Sequence, residues 1–178
     1  MNIFFVDPNP KEAACALSDQ HVIKMTLETA QILSTACHEL GLDKFVNGKL
    51  YKSTHKNHPS CVWARKSFSH FYWLLNHGIA LSTEYSRRYN KVHASQQVFF
   101  DILHALKTIK SSNKFPNQGW EDPPLAINEA IKPIVLSVKD GKVDVVETYR
   151  NYYRTCKMKF GTVRIRDATW KTEKPSWL

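Results

Sequence analysis

The sequence is short of acid. Sixteen Asp and Glu residues stand against 25 Lys and Arg, giving a formal charge of +9 and a pI of about 9.4. That balance disfavours a cationic partner. It favours a polyanion (DNA, RNA or an anionic membrane surface) without choosing among them. No apolar run is long enough to span a bilayer, and the opening MNIFFVDPNP lacks the basic and apolar regions of a signal peptide. These two absences predict a cytoplasmic protein with no membrane role. The four cysteines, Cys15, Cys37, Cys61 and Cys156, are scattered and form no CxxC pair. In a reducing compartment they read as buried thiols rather than a disulfide framework or a metal clamp. A nucleophile elbow, a phosphate loop and an HExxH pair are all missing, which argues against the corresponding hydrolase, nucleotide and metalloprotease chemistries. No internal repeat or low-complexity linker divides the 178 residues, so a single domain over 1–178 is expected.

What is present is apolar and aromatic. The 43% of apolar residues suffices for a packed core, and five Trp is high for this length. The organising stretch is Leu17 to Gly41, LSDQHVIKMTLETAQILSTACHELG. Val22, Met25, Ile32, Leu33, Ala36 and Leu40 recur at helical spacing and predict a buried stripe. Asp19 occupies an N-cap position and Gly41 a C-cap position. Beside that stripe run His21, Lys24, Glu28, Gln31 and Thr35, also three or four apart. Two readings fit them: a solvated face with weak ion pairs, or a working face centred on Glu28.

Elsewhere the elements are plainer. Asn2 to Asp7 reads as a short strand or extended arm that Pro8 and Pro10 stop, and Asn9 caps a short helix through Ala16. Residues 41–59 form a basic loop ending in His55, Asn57 and His58 before Pro59. A helical segment runs from Pro59 or Ser60 to Tyr89, with Gly78 as a close-packing point and Arg87, Arg88 and Lys91 at its end. A third helix covers Ser95 to Lys110, with Val98, Phe99, Ile102, Leu103, Leu106 and Ile109 inward. Residues 125–143 are ambiguous. Ile134 to Val138 and Val143, around Asp140-Gly141, are able to pair as a small hairpin. Asp144 caps a last helix through Phe160.

Basic residues interleaved with aromatics suit nucleic acid, where cations neutralise phosphate and rings stack on bases. Arg87 and Arg88, the Tyr149-Arg150-Asn151-Tyr152-Tyr153-Arg154 run, and Trp177 are the candidates. Tyr149 and Tyr153 are equally readable as core residues. A metal reading can be assembled from His55 and His58 with His70, His77 or His21, but no ligand pair has a recognised spacing, and no metal or other cofactor is expected.

Leu17-Ser18-Asp19-Gln20-His21, followed seven residues later by Glu28, resembles the first helix of the pyrimidine-dimer DNA glycosylases of the phage endonuclease type. That family carries an LADQH-like segment at the same interval before its catalytic glutamate. Ile79, Leu81, Glu84, Arg87 and Arg88 follow a similar rhythm, and Pro175-Ser176-Trp177 resembles the family's aromatic C-terminal segment. The chain is also similar to a related group of uncharacterised phage proteins sharing HVxKMxxE, THxNHP and YRNYY, here at His21 to Glu28, Thr54 to Pro59 and Tyr149 to Tyr153.

The resemblance implies a DNA glycosylase with abasic-site lyase activity on damaged or modified pyrimidines, aided by base flipping. The nucleophile would be the N-terminal α-amine, here that of Met1, because Asn2 is too large to permit removal of the methionine. An ordinary α-amine titrates at about 8, so part of it is neutral at pH 7. Glu28 would be the acid–base residue, and His21 a neighbouring orienting group. Where the family has arginines near its glutamate, this chain has Leu27 and Gln31. Lys24, His58 and Arg65 are candidates to take over substrate positioning. Asn2, Gln31, His55, Asn57, Arg87, Arg88, Arg150, Tyr153 and Trp177 complete the candidate DNA-binding set.

The expected fold is mainly α: a helical bundle of about four to five helices with a small β-hairpin. The expected partner is double-stranded DNA, bound by a monomer, in the host cytoplasm if the protein is phage-encoded. Two rival functions remain open: a non-catalytic duplex-binding protein on the same scaffold, and a nucleotide-directed enzyme using the His cluster.

Overall fold

The computed structural model describes residues 1–155 and 168–178. It is mainly helical, as expected. The elements are α1 (Pro10–Ala16), α2 (Asp19–Glu39), a 3-10 turn (Asp43–Phe45), α3 (Pro59–Lys66), α4 (Phe68–Tyr89), α5 (Gln96–Ser111), α6 (Lys132–Val135), the two-residue strands β1 (Val138–Lys139) and β2 (Lys142–Val143), and α7 (Val145–Thr155). Cys156 and the last residues of the predicted final helix lie outside the described residues. No helix among those described is long and apolar enough to cross a membrane.

The ends of α2 explain its length. Asn9 caps α1 through its side chain, and Pro10 occupies the first turn. Ser18, not Asp19, is the N-cap of α2, so the aspartate is free for a buried role. At the other end Gly41 adopts φ +62°. The N–H of Leu42 bonds to the carbonyl of Cys37 and that of Gly41 to His38, a Schellman stop sealed by the buried Leu42.

The single helix expected over Ser60–Tyr89 is two helices. Ser67 is extended, and its Oγ accepts from the N–H of His70 to start α4, while its hydroxyl donates to the carbonyl of Gly119. That loop contact holds the break open. Helix α4 packs on α1, α2, α3 and α5. Gly78 is indeed a close approach: a Cβ there would stand 2.4 Å from the Phe99 ring on α5. Leu103, expected inward, is 37% exposed, because the buried stripe of α5 runs through Val98, Ile102, Ala105 and Ile109 and leaves that position beside it. The hairpin is shorter than expected, with Ile134 inside α6. Its turn, Asp140-Gly141, has both residues at positive φ, the type that suits a two-residue β-hairpin.

The N-terminal segment is an arm, not a strand. Ile3, Phe4, Phe5 and Val6 are all buried, Phe4 against Tyr149 and His21, Phe5 against Trp73. The guanidinium of Arg150 donates to the carbonyl of Val6. Burial of four large apolar side chains contributes roughly 1.5–3 kcal/mol each before chain entropy is set against it, which anchors the arm's first residue.

Candidate active site

The polar stripe of α2 is a seam where three other segments meet. At its N-terminal end the ring of His21 stacks on Phe4 at 4.2 Å, and its Nδ1 is hydrogen-bonded to the Tyr153 hydroxyl of α7. At its C-terminal end Thr35 exchanges two hydrogen bonds of 3.1 Å with the backbone of Thr54, pinning the His-rich loop. Between them lies Glu28. Its Oε2 accepts from the N–H of Asn2 at 3.0 Å, and its Oε1 lies 3.6 Å from Nζ of Lys24.

Asn2 is a hinge pin rather than a free contact residue. Its Oδ1 accepts from the N–H of Ile3 and from the hydroxyl of Tyr149, each at 2.7 Å. Tyr149 is wholly buried, and burial pushes its phenol above the ordinary value, so it stays a donor at all working pH. Two hydroxyl contacts of α7, Tyr149 to Asn2 and Tyr153 to His21, therefore brace the arm and α2 from behind. Of the two readings for these tyrosines the core one holds. The YRNYY spacing was the available signal, since four residues place Tyr149 and Tyr153 on one helix face.

Met1 closes the seam against α3. Its Sδ is 3.6 Å from Sγ of Cys61. His58 is the N-cap of α3, so its imidazole stands at the start of the helix against which Met1 packs. Nδ1 of His58 accepts from the N–H of Ser60, which leaves that ring neutral with its other nitrogen bearing the proton. Burial, with help from the amine and His55, lowers the His58 value. His21 is lowered further, to about 4, by burial and by Lys24. It is therefore a neutral, clamped imidazole at pH 7, which suits orientation and not proton supply. Arg65 donates to the carbonyl of Lys56 at 2.6 Å and so fixes the loop that carries His55 and Asn57. His55 and Asn57 are exposed, and Gln31 is half-buried on the same stripe.

Not every expected residue is here. Arg88 is sealed, its side chain fully inaccessible, and pairs with Glu84 at 2.6 Å and Asp19 at 3.0 Å. It also donates to the carbonyls of Leu17 and Cys15. Such an arginine cannot reach DNA; it ties α1, α2 and α4 together. Burial raises the Glu84 carboxyl, but hydrogen bonds and charge from Arg87 and Arg88 outweigh this and hold it below the ordinary value. Arg87 is exposed and bidentate to Glu84. It lines a cleft of about 580 Å³ with Asp7, Glu12, Glu173 and Trp177, whose acidic members do not suit phosphate. Arg150 and Trp177 stack there, 5.3 Å apart, as internal bracing of the tail. Asp19 was missed as a partner of Arg88, because a contact 69 residues apart leaves no local pattern.

Among the described residues no three His, Cys, Asp or Glu side chains gather as a metal site. The geometry instead joins a carboxylate, a backbone N–H that holds it and an amine one residue away. No curated protein and no solved structure matches the chain. Residues 1–97 match the family model described as pyrimidine dimer DNA glycosylase, a span that contains Glu28, His58 and the Asp19–Glu84–Arg88 cluster but none of the three tyrosines of α7. With more than half of its 178 residues matched, the chain belongs to the pyrimidine dimer DNA glycosylase family.

Proposed function

We propose that this protein excises damaged or modified pyrimidines from double-stranded DNA and nicks the resulting abasic site, using the α-amine of Met1 as nucleophile and Glu28 as acid–base group. The observation that carries the reading is the 3.0 Å bond from the Asn2 N–H to Oε2 of Glu28. The α-nitrogen of Met1 is three bonds from that N–H, so it stands within about 7 Å of the carboxylate. A sugar C1′ between amine and carboxylate would meet both.

In the reaction the lone pair of the amine attacks C1′. The bond from C1′ to the base breaks, and the electron pair leaves with the base, which takes up a proton. Glu28 protonates the departing base or the opening sugar oxygen, and its charge stabilises the cation that develops at C1′. The nitrogen then loses a proton and its lone pair opens the sugar ring, the C1′–O4′ bond pair leaving on O4′, which takes up a proton, so that the amine is joined to C1′ as an iminium. Loss of a C2′ proton expels the 3′ phosphate and cuts the strand. Lys24, exposed beside Glu28, is placed to neutralise a flanking phosphate. Neutral His21 and His58 shape the pocket.

Borohydride trapping on a duplex with an abasic site tests the reading. Wild-type protein should give a covalent adduct, protein acetylated at the N-terminus none, and Glu28→Gln a much slower yield. Duplex binding without any trapped adduct would remove amine catalysis and leave a non-catalytic DNA-binding protein on this scaffold.

A further inference from the structure

A second surface lies at the far end of α3. Eight residues of helix, about 12 Å, separate His58 from the loop after α5 that carries Trp120. There a groove of about 950 Å³ opens between the start of α4 and the end of α5, with Trp120 on its rim. Its floor and walls are aromatic: Phe68 and Tyr72 stack with rings 14° from parallel, and Tyr72 and Trp120 are each 46% exposed. Lys107 and Lys110 stand along one wall, with Nζ of Lys110 5.7 Å from the Phe68 ring centre, and no Asp or Glu lines the groove. Asp122 accepts a hydrogen bond from the indole N–H of Trp120 and holds that ring in place.

Exposed flat rings, beside lysines that make no ion pair among the described residues, suit one kind of partner. Rings give stacking surface to bases that have left a duplex, and ammonium groups neutralise the phosphates between them. Paired bases present only their edges, so a duplex could use the lysines but not the rings. A peptide partner would have to bring acidic side chains to answer the lysines, whereas every nucleotide of an unpaired strand brings both a phosphate and a flat base. We propose that this groove binds unpaired DNA strand as a contact separate from the Glu28 site. The proposal rests on the DNA-directed reading of the family, but not on amine catalysis.

The test is fluorescence anisotropy with a labelled oligothymidylate, alongside abasic-duplex trapping, for wild type, Tyr72→Ala, Lys107→Gln/Lys110→Gln and Glu28→Gln. All four altered side chains are at least partly solvent-accessible, and circular dichroism checks the fold. Tyr72→Ala should weaken oligothymidylate binding about tenfold, the loss of one stacked base. The double lysine variant should reduce the slope of log affinity against log salt by about 1.4, two phosphate contacts on a single strand. Both should keep the trapping yield of wild type. Glu28→Gln should do the reverse, so a failure of the catalytic reading shows in trapping while a failure of the groove shows in anisotropy. Unchanged oligothymidylate affinity and salt slope in the groove variants would overturn the proposal, as would an equal loss in Glu28→Gln.

Discussion

Arg88 is the position where the sequence and the structure part most sharply, and removing it decides between them. Arg88→Met keeps the apolar stem and deletes the charge. Glu84 would keep both bonds from Arg87, and Asp19 would keep the hydroxyl of Thr169 and the N–H of Lys171. The carboxylates would lose their buried countercharge, and the carbonyls of Leu17 and Cys15 would lose their donor. Breaking a buried pair from one side costs about 3–5 kcal/mol. For a chain of this size that is a fall in Tm of roughly 6–20 °C. Arg87→Met, at an exposed ion pair, should cost at most about 1 kcal/mol. Urea unfolding monitored by tryptophan fluorescence gives both numbers from one protocol. A loss for Arg88→Met within about 1 kcal/mol of that for Arg87→Met, together with weakened duplex binding, would refute the reasoning and return Arg88 to the DNA surface.

Three further outcomes follow from the packing. His77 is buried against Trp73 and donates from Nδ1 to the carbonyl of Pro10, and burial lowers it to about 4. Its folded value lies below the ordinary one, so below pH 6.5 the unfolded chain takes up a proton that the folded chain refuses. Stability is complete above pH 6.5 and declines towards pH 4 by up to about 3 kcal/mol. His77→Gln should flatten that part of the profile in unfolding curves at pH 7 and 4.5, leaving the similar slope from His21. Gly78→Ala drives a methyl group into Phe99 and should cost about 1–3 kcal/mol by denaturant midpoint. A neutral result would mean that α5 slides freely on α4. Tyr149→Phe removes the donor to Asn2 and should cost about 1 kcal/mol of stability while slowing abasic-site nicking roughly fivefold. Equal nicking by the variant would show that the brace does not position the arm.

The legible parts of the fold are those governed by local rules. Asn9, Gly41, Asp140-Gly141 and Asp144 each act through a cap or turn within a few residues, and each sits where that chemistry places it. The stripe from His21 to Thr35 was legible as a face, because helical spacing is local too. What it touches was not. The arm reaches Glu28 across 26 residues and Tyr149 across 147, and no periodicity encodes such meetings. Ser67 shows the same limit on a smaller scale: the break between α3 and α4 depends on Gly119 in a loop far along the chain. The arginines mislead for a related reason. Charge alone reads as surface, and only the partners Asp19 and Glu84, brought in by folding, turn Arg88 into an interior residue.

The threading of the N-terminal arm also sets an order of events during synthesis. The first residues to leave the ribosome are among the last to find their final contacts, since Asn2 waits for a hydroxyl 147 positions later. Until α7 is made, four apolar residues and the N-terminal amine have no complete berth, and they form a long-range closure of the kind that slows folding. A chain arrested before Tyr149 would already contain Met1, Glu28 and His58, yet would hold them without their brace. The link from α7 through Asn2 to Glu28 is thus complete only in molecules whose C-terminal third has arrived and docked.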